Sequence, residues 1–335
     1  MPGMTEKLNG IAMEIEDCNF PLLEGVIATS TPQTACTDCD VAILLGGFPR
    51  LANMERRDLI HKNAEGMRDQ AMALDMYAKS TVKVLVVANP ANTNCLVAMR
   101  SCSRISPQNF SCLTRLDHER LRFFIAKQAN YYLSANGSMS QSVSPSDVSN
   151  ICIWGNHSAT QVPYLDCCSV NVGGVPTPAA TFFTKTTPSS SDGGGVVGGG
   201  GGGDSEGGMS LDELVKKVQT RGAAVLSTQG ASSGFSAANA IAKHLADWLG
   251  PSPTEEIFSM GIQSTGNSYG VPDGLVFSFP CTRVVGGAPG QIAIVTGLEV
   301  SPAVQDLINK TTEELIGEML EASFVFAADG GRAPK

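Results

Sequence analysis

The chain has 335 residues, of which 42% are hydrophobic and 16% are charged, and its formal net charge is −9. This length suffices for two domains with substantial cores, and the composition is typical of globular proteins. The acidic balance, with no cluster of Lys or Arg, excludes an ordinary nucleic-acid-binding surface. No apolar run reaches the roughly 18 residues of a membrane-spanning helix, so we expect no membrane partner.

The first part of the chain alternates short apolar, β-branched runs with helical patterns. The runs lie at residues 26–29, 41–45, 82–87 and 110–114. Apolar residues at helical spacing predict a long amphipathic helix within residues 53–77. Near-continuous apolar strands separated by helices predict a parallel sheet, and the active sites of such sheets lie at the carboxyl ends of the strands.

Beyond residue 151 the pattern changes to helices and more alternating strands, which predicts a second, α+β domain. Residues 134–147 are rich in Ser, Asn and Gly without periodicity, and we expect an exposed loop there. Residues 186–208 are a Ser/Gly-rich insert of low complexity, and such a composition predicts disorder. A phosphate-binding glycine loop is the alternative, but no strand precedes the insert and no Lys-Ser/Thr pair follows it.

The ten cysteines and the N-terminus favour a reduced, cytosolic protein. Cys36 and Cys39 have the spacing of a zinc or redox motif, but no second Cys or His pair lies where it could complete a metal site. Cys167 and Cys168 are adjacent, which suits neither an ordinary disulfide nor two tetrahedral metal ligands. Residues 1–7 do not resemble a signal peptide. We therefore expect structural thiols, no metal and a cytoplasmic location.

Asp117, Arg120 and His157 form the most informative combination of residues, because the chain has only four histidines. Asp117 and Arg120 open a predicted helix that follows a predicted strand, and His157 lies in a glycine-containing turn after another strand. An Asp beside a His raises the basicity of the imidazole, and an Arg can bind a carboxylate with two parallel hydrogen bonds. Together they suit proton transfer on a 2-hydroxy or 2-oxo acid. The alternative for His157 is a structural histidine.

Two other segments follow predicted strands. Arg50 and Arg56 lie between a strand and a helix and could bind the two carboxylates of a small diacid, or they could be solvated charges at a helix start. Asn89 precedes a proline that fixes the turn, so its amide could orient a carbonyl or a hydroxyl. The same segment could equally be a simple turn and helix cap.

Several motifs in one order resemble malate dehydrogenase of the cytosolic type, within the lactate/malate dehydrogenase superfamily. The resemblance runs from about Leu8 to about Ala322. The motifs that carry it are F-P-R-x-x-x-M-E-R-x-D-L, V-x-V-V-x-N-P-A-N-T-N-C-L, N-F-S-C-L-T-R-L-D-H-x-R, I-x-I-W-G-N-H-S-x-T-Q and R-G-A-A-V-L. The resemblance implies an NAD-dependent oxidoreductase that interconverts malate and oxaloacetate and functions as a homodimer.

By position, the resemblance implies that His157 is the proton-transfer residue and Asp117 its orienting partner. It implies that Arg120 binds the C1 carboxylate of the substrate, Arg50 the distal carboxylate, and that Arg56 polarises the substrate carbonyl. Asn89 would contact both the substrate and the nicotinamide. The other implied cofactor-binding residues are Asn63, Gln70, Val87, Ala88 and either Ser232 or Ser236.

The family begins with a strand, a glycine-rich turn, a helix and a second strand, and this sequence begins after that unit. We therefore expect an α/β fold: an N-terminally truncated Rossmann-like, doubly wound parallel sheet (residues 1–112), followed by an α+β catalytic domain (residues 113–330). Loss of a phosphate site at a helix N-terminus would weaken cofactor binding. The alternatives to malate oxidation are a non-catalytic paralogue or partner subunit, and a dehydrogenase of another 2-hydroxy acid.

Overall fold

The structure is a computed structural model that describes residues 2–48, 54–138, 141–183, 208–250 and 256–327, with only the backbone at residues 2–5 and 56. The chain divides into two compact units, and each is described by itself. Unit 1 extends to Cys112 and includes the residues from Gly317 onwards, and unit 2 is Leu113–Ile316. The predicted insert at 186–208 lies outside the described residues except for Gly208.

The N-terminal part of unit 1 alternates helices and strands. Its elements are α1 (Pro2–Asp17), α2 (Pro32–Cys36), β1 (Val41–Leu44), α3 (Arg56–Tyr77), β2 (Lys83–Val86), α4 (Ala91–Ser101), a 3-10 helix (Pro107–Asn109) and β3 (Phe110–Cys112). Strands β1, β2 and β3 pair in parallel in that order. Residues Val84, Leu85 and Val86 of β2 are completely buried, as expected for a central parallel strand. The α/β class predicted from the sequence is confirmed.

Helix α3 forms because apolar residues recur along one face at helical spacing. Ile60, Ala64, Met67, Ala71 and Leu74 are all buried, and the helix packs against α4. Its second turn carries Asn63, which is also buried. The long predicted helix is therefore confirmed, and it brings a polar side chain to the carboxyl ends of β1 and β2.

The strand predicted at residues 26–29 is wrong, because this segment forms no strand and Ile27 is 80% exposed. A β-branched run becomes a strand only when a neighbour satisfies its backbone groups. In the part of the chain that the structure describes, β1 pairs with β2 alone, and it is the edge strand of its sheet. The parallel sheet of unit 1 therefore has three strands where the sequence predicted four.

Unit 2 is built from antiparallel strands and long helices, which confirms the predicted α+β part. Its elements are α5 (Arg115–Ala135), β4 (Val148–Ser149), β5 (Cys152–Trp154), β6 (Val162–Tyr164), β7 (Ser169–Val172), β8 (Val175–Pro178), α6 (Leu211–Gln229), α7 (Phe235–Leu249), β9 (Phe258–Gln263), β10 (Val276–Arg283), β11 (Ile292–Ile294) and most of α8 (Pro302–Ala322); 3-10 helices lie at Pro145–Asp147 and Ala179–Phe183. Helix α8 continues into unit 1, where α9 (Phe324–Ala327) follows.

Antiparallel pairing organises this unit into β4–β7–β8, β5–β6 and β9–β10–β11. The core of the unit joins α5 to the short strands and to α6, with Phe124, Ile153 and Leu214 all buried in it. The predicted exposed loop at 134–147 is wrong in part: Val143 is buried, and the Asn130 side chain bonds to its backbone N–H and C=O at 2.8 and 2.6 Å.

Candidate active site

Asp117 and His157 are in contact, although 40 residues separate them in the sequence. Asp117 lies in the first turn of α5, where a carboxylate is stabilised by the helix dipole. Its side chain is completely buried, and its Oδ2 lies 2.5 Å from Nδ1 of His157. The imidazole is 19% exposed. The pair that the sequence predicted is therefore assembled within unit 2.

Asp117 is held ionised by its neighbours. Burial alone would favour the neutral carboxyl, but His157, Arg120 and Gln161 oppose this effect through charge and hydrogen bonds, and the pKa of Asp117 lies below its ordinary value. The Arg120 Nη1 donates to Asp117 Oδ1 at 3.0 Å. Each carboxylate oxygen of Asp117 therefore faces a different basic residue.

Arg120 lies one turn after Asp117, and its side chain is 12% exposed. Helix α6 crosses beside it at Gly222: a Cβ at that position would lie 3.5 Å from Arg120 Nη2. In the part of the chain that the structure describes, Arg120 uses Nη1 to donate a hydrogen bond to Asp117. A planar fork held at one end by Asp117 can present its other donors to a carboxylate.

The turn that carries His157 is shaped by Gly155. This residue has φ of 97°, and a Cβ on it would lie 2.4 Å from Cγ2 and 2.5 Å from Oγ1 of Thr311. Such contacts are too close for any side chain, so only glycine suits both the backbone and the approach of α8. The Gly155 backbone also pairs with Ser278 in an isolated bridge, at 3.1 and 2.9 Å. The turn is therefore fixed on two sides.

Residues on both sides of His157 converge on one carboxylate of α8. Glu314 Oε2 accepts hydrogen bonds from Asn156 Nδ2 at 2.9 Å, Ser158 Oγ at 2.6 Å and Thr160 Oγ1 at 2.5 Å. Thr311, one turn earlier, accepts from the Asn156 backbone N–H at 2.9 Å. Glu314 is not predictable from the sequence, because an acidic residue in an amphipathic helix is usually solvated. Gln161, which hydrogen-bonds to Asp117, ends one of the sequence motifs and could have been found there.

In unit 1, Asn63 connects the two loops that follow β1 and β2. Its Oδ1 accepts from the backbone N–H of Phe48 at 2.5 Å, and its Nδ2 donates to the carbonyl oxygens of Phe48 at 3.2 Å and Asn89 at 2.8 Å. Asn63 is buried and Asn89 is exposed. The side chain of Asn63 is therefore used to hold both loops, and Asn89 is the one presented to solvent.

The other predicted cofactor residues of unit 1 lie along the same loops. The Val87 and Ala88 backbone N–H groups donate to the Leu44 carbonyl at 3.0 and 3.1 Å. The peptide bond between Asn89 and Pro90 is cis. Gln70 is half-buried on α3 and donates to Gly66 O at 3.0 Å. Asn63, Val87, Ala88 and Asn89 therefore lie together at the carboxyl ends of β1 and β2.

Two of the remaining predicted site residues lie wholly or partly outside the described residues, and two are exposed. Arg50 lies outside the described residues, and Arg56 begins α3 but its side chain is not described. Ser232 and Ser236, in and after the turn preceding α7, are exposed on unit 2.

His118, which adjoins Asp117, is a structural residue. It is completely buried, its Nδ1 accepts from the Ser259 backbone N–H at 3.2 Å, and burial holds its pKa well below the ordinary value. Among the described residues, no group of three or more His, Cys, Asp or Glu side chains is arranged to hold a metal ion. None of the helices in those parts of the chain is long and apolar enough to cross a membrane.

Two family models match nearly the whole chain. The lactate/malate dehydrogenase NAD binding domain matches residues 3–111. The lactate/malate dehydrogenase alpha/beta C-terminal domain matches residues 114–187 and 205–324. Cytoplasmic malate dehydrogenase from Bos taurus is 41% identical over 322 residues, 96% of this chain and 85% of that protein. The Homo sapiens protein of the same name is 41% identical over 320 residues, 95% of this chain and 84% of that protein.

Solved structures are similar over the same extent. Malate dehydrogenase from Naegleria fowleri has a TM-score of 0.78 at 33% identity, covering 97% of this chain and 86% of that chain. Lactate dehydrogenase from Trichomonas vaginalis, in complex with NADH and oxamate, has a TM-score of 0.79 at 31% identity, covering 98% of this chain and 88% of that chain.

Proposed function

Because this chain belongs to the lactate/malate dehydrogenase family, we propose that it interconverts malate and oxaloacetate with NAD as its cofactor. The observation that carries this proposal is the buried carboxylate of Asp117 between His157 and Arg120. That arrangement joins a proton-transfer group, His157, to a carboxylate-binding group, Arg120, through one buried carboxylate. The cytoplasmic enzymes among the relatives support a cytoplasmic location for this chain as well.

His157 is the general base in the oxidation of malate. Its Nδ1 is engaged by Asp117, so Nε2 is the nitrogen that takes the proton of the C2 hydroxyl. The charge on Asp117 stabilises the imidazolium that results and fixes the tautomer of the neutral ring. In the reverse direction, protonated His157 returns this proton to the oxygen of the 2-oxo acid.

The arginines bind and polarise the substrate. Arg120 binds the C1 carboxylate, and its attachment to Asp117 orients the guanidinium plane. Arg50 binds the distal carboxylate, which distinguishes malate from smaller 2-hydroxy acids. Arg56 polarises the substrate carbonyl. These last two roles rest on the position of each residue in the family motif.

The residues of unit 1 fit the nicotinamide side of NAD. At Gly47 a Cβ would lie 3.0 Å from the Ala88 Cβ and 3.3 Å from Asn63 Oδ1. Because Gly47 has no side chain, its backbone is accessible beside the loops that follow β1 and β2. The Val87–Asn89 backbone, Gln70 and the Asn89 amide would hold the cofactor, with Ser232 or Ser236 near the nicotinamide. Asn63 would act by holding the loops. When bound, NAD supplies the acceptor for the hydride from C2 of malate.

The homodimer expected for the family remains a prediction. Exposed apolar residues of α1 support it: Ile11 is 53% exposed and Met13 is 62% exposed.

A lactate-type substrate is the second candidate, because the chain also resembles the lactate dehydrogenase of Trichomonas vaginalis. The two candidates differ in the group at the distal end of the substrate, which is a carboxylate in oxaloacetate and a methyl group in pyruvate. A guanidinium facing that position favours the carboxylate. Arg50 is therefore the residue to change.

The test is NADH oxidation by the purified chain with oxaloacetate or pyruvate, in wild type and Arg50→Ala. We expect oxaloacetate to be preferred, and the variant to lose most of this preference through a higher KM for oxaloacetate. Preferred turnover of pyruvate would support the lactate-type alternative. A folded protein that binds NADH, as followed by its fluorescence, but turns over neither substrate would contradict the proposed activity.

A further inference from the structure

Three cysteines of unit 2, Cys152, Cys167 and Cys168, interact with one another. Cys152 begins β5 and Cys168 precedes β7; both are buried, and Cys167 is partly exposed. The Cys167 thiol interacts electrostatically with the Cys152 and Cys168 thiols, and its sulfur lies 3.2 Å from the carbonyl oxygen of Asn150, two residues before Cys152. The sequence predicts structural thiols at these positions, but the surroundings of Cys167 differ from those of a structural cysteine.

The neighbours of Cys167 favour its ionised form. Hydrogen bonds from the Cys152 and Cys168 thiols lower the pKa of Cys167 to about 5, against the opposing effects of burial and of the Asp166 carboxylate. The Asn150 carbonyl, 3.2 Å from the Cys167 sulfur, accepts a bond from the neutral thiol and also opposes ionisation. The same cluster raises the pKa of Cys152 and Cys168. One sulfur of the three is thus selected as the nucleophile.

Cys167 also lines a cavity of about 430 Å³. The cavity is bounded by Tyr164 and Asp166 on one side and by residues 298–301 on the other, with the Tyr164 hydroxyl bonded to the Glu299 carbonyl at 2.6 Å. A small, uncharged oxidant can therefore reach the sulfur of Cys167, while Cys152 lies behind it in the core.

We propose that Cys167 is a peroxide-reactive thiol and that Cys152 converts its oxidised form into a disulfide. In the first step the Cys167 sulfur attacks one oxygen of hydrogen peroxide and the O–O bond breaks. Cys167 is oxidised to a sulfenic acid, and the leaving hydroxide takes a proton to become water. In the second step the Cys152 sulfur attacks the Cys167 sulfur, and the S–O bond breaks. The hydroxide that leaves combines with the Cys152 thiol proton, so two thiols and one peroxide give one disulfide and two waters.

Cys152 is the better partner because Cys168 is adjacent to Cys167. Neighbouring Cα atoms are about 3.8 Å apart, whereas disulfides usually join Cα atoms roughly 4.4–6.8 Å apart. Cys152 approaches from a separate strand: it is paired with Tyr164 in the β5–β6 ladder, three positions before Cys167. Its sulfur can therefore meet Cys167 without the strain of a bond between adjacent residues.

The test is site-resolved mass spectrometry of the full chain after brief treatment with one equivalent of hydrogen peroxide at neutral pH. Remaining thiols are alkylated before digestion. We expect a cross-linked peptide joining Cys152 and Cys167, with loss of two hydrogen masses. In Cys152→Ser, and in Cys152→Ala as a second variant, we expect dimedone to trap sulfenic acid at Cys167. Circular dichroism of each variant shows that it is folded.

Cys102 is the matched control within the chain. It is also partly exposed and its thiol donates to the Ala71 carbonyl at 3.3 Å, but burial raises its pKa to about 12. We expect Cys167 to be oxidised at least about tenfold faster than Cys102, because the thiolate is the reactive species. Oxidation of Cys167 no faster than Cys102 would overturn the proposal. So would a cross-link that persists unchanged between Cys167 and Cys168 in the Cys152 variants.

Discussion

Asp117 links the two tasks proposed for the site. One of its oxygens is bonded to His157 and the other to Arg120. A group that orients the base therefore also orients the residue proposed to bind the substrate carboxylate. Since the carboxylate is completely buried, its charge acts at short range with little screening by water. A change that preserves its shape but removes its charge should thus affect turnover far more than folding.

Replacement of Asp117 by Asn tests this directly. We expect kcat for malate oxidation to fall on the order of 10³-fold or more, because the amide neither stabilises the imidazolium nor enforces the tautomer of His157. Steady-state NADH formation gives kcat and KM. Asp273→Asn, at an exposed carboxylate of the same unit, is the control and should leave both unchanged. If kcat fell less than tenfold in Asp117→Asn, Asp117 would not take part in the proposed proton transfer.

Sequence motifs identified the candidate site residues Asp117 and His157 more readily than the residues that hold them. Asp117 and His157 were identifiable because each lies in a distinctive turn after an apolar strand. Glu314 was not, because it is 158 positions from Asn156 and its helix spacing does not show which neighbours it will contact. Long-range polar contacts of this kind depend on tertiary packing, which the local periodicity of a sequence does not report.

At the scale of elements, the turn after β5 is held by side chains of α8. Glu314 receives three side-chain hydrogen bonds from positions on both sides of His157, and Thr311 receives one from the backbone. This geometry makes Glu314 a positioning residue: it acts on His157 through the turn. Its loss should loosen the imidazole relative to the substrate while the cofactor loops of unit 1 stay unchanged.

The variant Glu314→Gln is therefore expected to lower kcat roughly tenfold and to leave the Kd for NADH unchanged, since small misplacement of a catalytic group reduces rate strongly. Steady-state kinetics and NADH fluorescence measure the two effects. The matched control is Glu313→Gln on the exposed side of the same helix, which should be neutral. Equal effects of the two substitutions, or a change confined to NADH affinity, would show that the turn does not depend on Glu314.

Of the apolar runs predicted to be strands, some form strands and one does not. Residues 41–44 and 83–86 formed strands as their apolar runs predicted, since each has a partner to complete its ladder. Residues 26–29 have the same composition, yet Ile27 is largely exposed and no ladder forms. A β-branched run states only that a segment suits a sheet. Whether a neighbour is available depends on the rest of the fold, which composition alone does not give.

For the whole molecule, two buried histidines make stability depend on pH. His118 and His244 are both buried on facing helices of unit 2, and His244 packs edge-on against Trp248 with ring centroids 5.8 Å apart. Burial, with a contribution from Arg115, lowers the pKa of His244 to about 3, and that of His118 also lies well below its ordinary value. Both rings are therefore neutral in the folded state at neutral pH.

The sign of the effect follows from proton uptake. The unfolded chain, with histidine pKa values of about 6.5, binds more protons than the folded chain once the pH falls below that value, so stability is lost on acidification. Because its folded-state pKa is about 3, His244 should remove about 2 kcal/mol of unfolding free energy between pH 7 and pH 5, and His118 adds to the loss in the same direction. Urea denaturation at the two pH values measures this difference. His244→Gln should make this loss smaller by about 2 kcal/mol, whatever the substitution does to absolute stability. His61→Gln, at an imidazole that is 44% exposed, should leave it unchanged. If His244→Gln and wild type lost the same free energy between pH 7 and pH 5, burial of His244 would not be a source of the acid sensitivity.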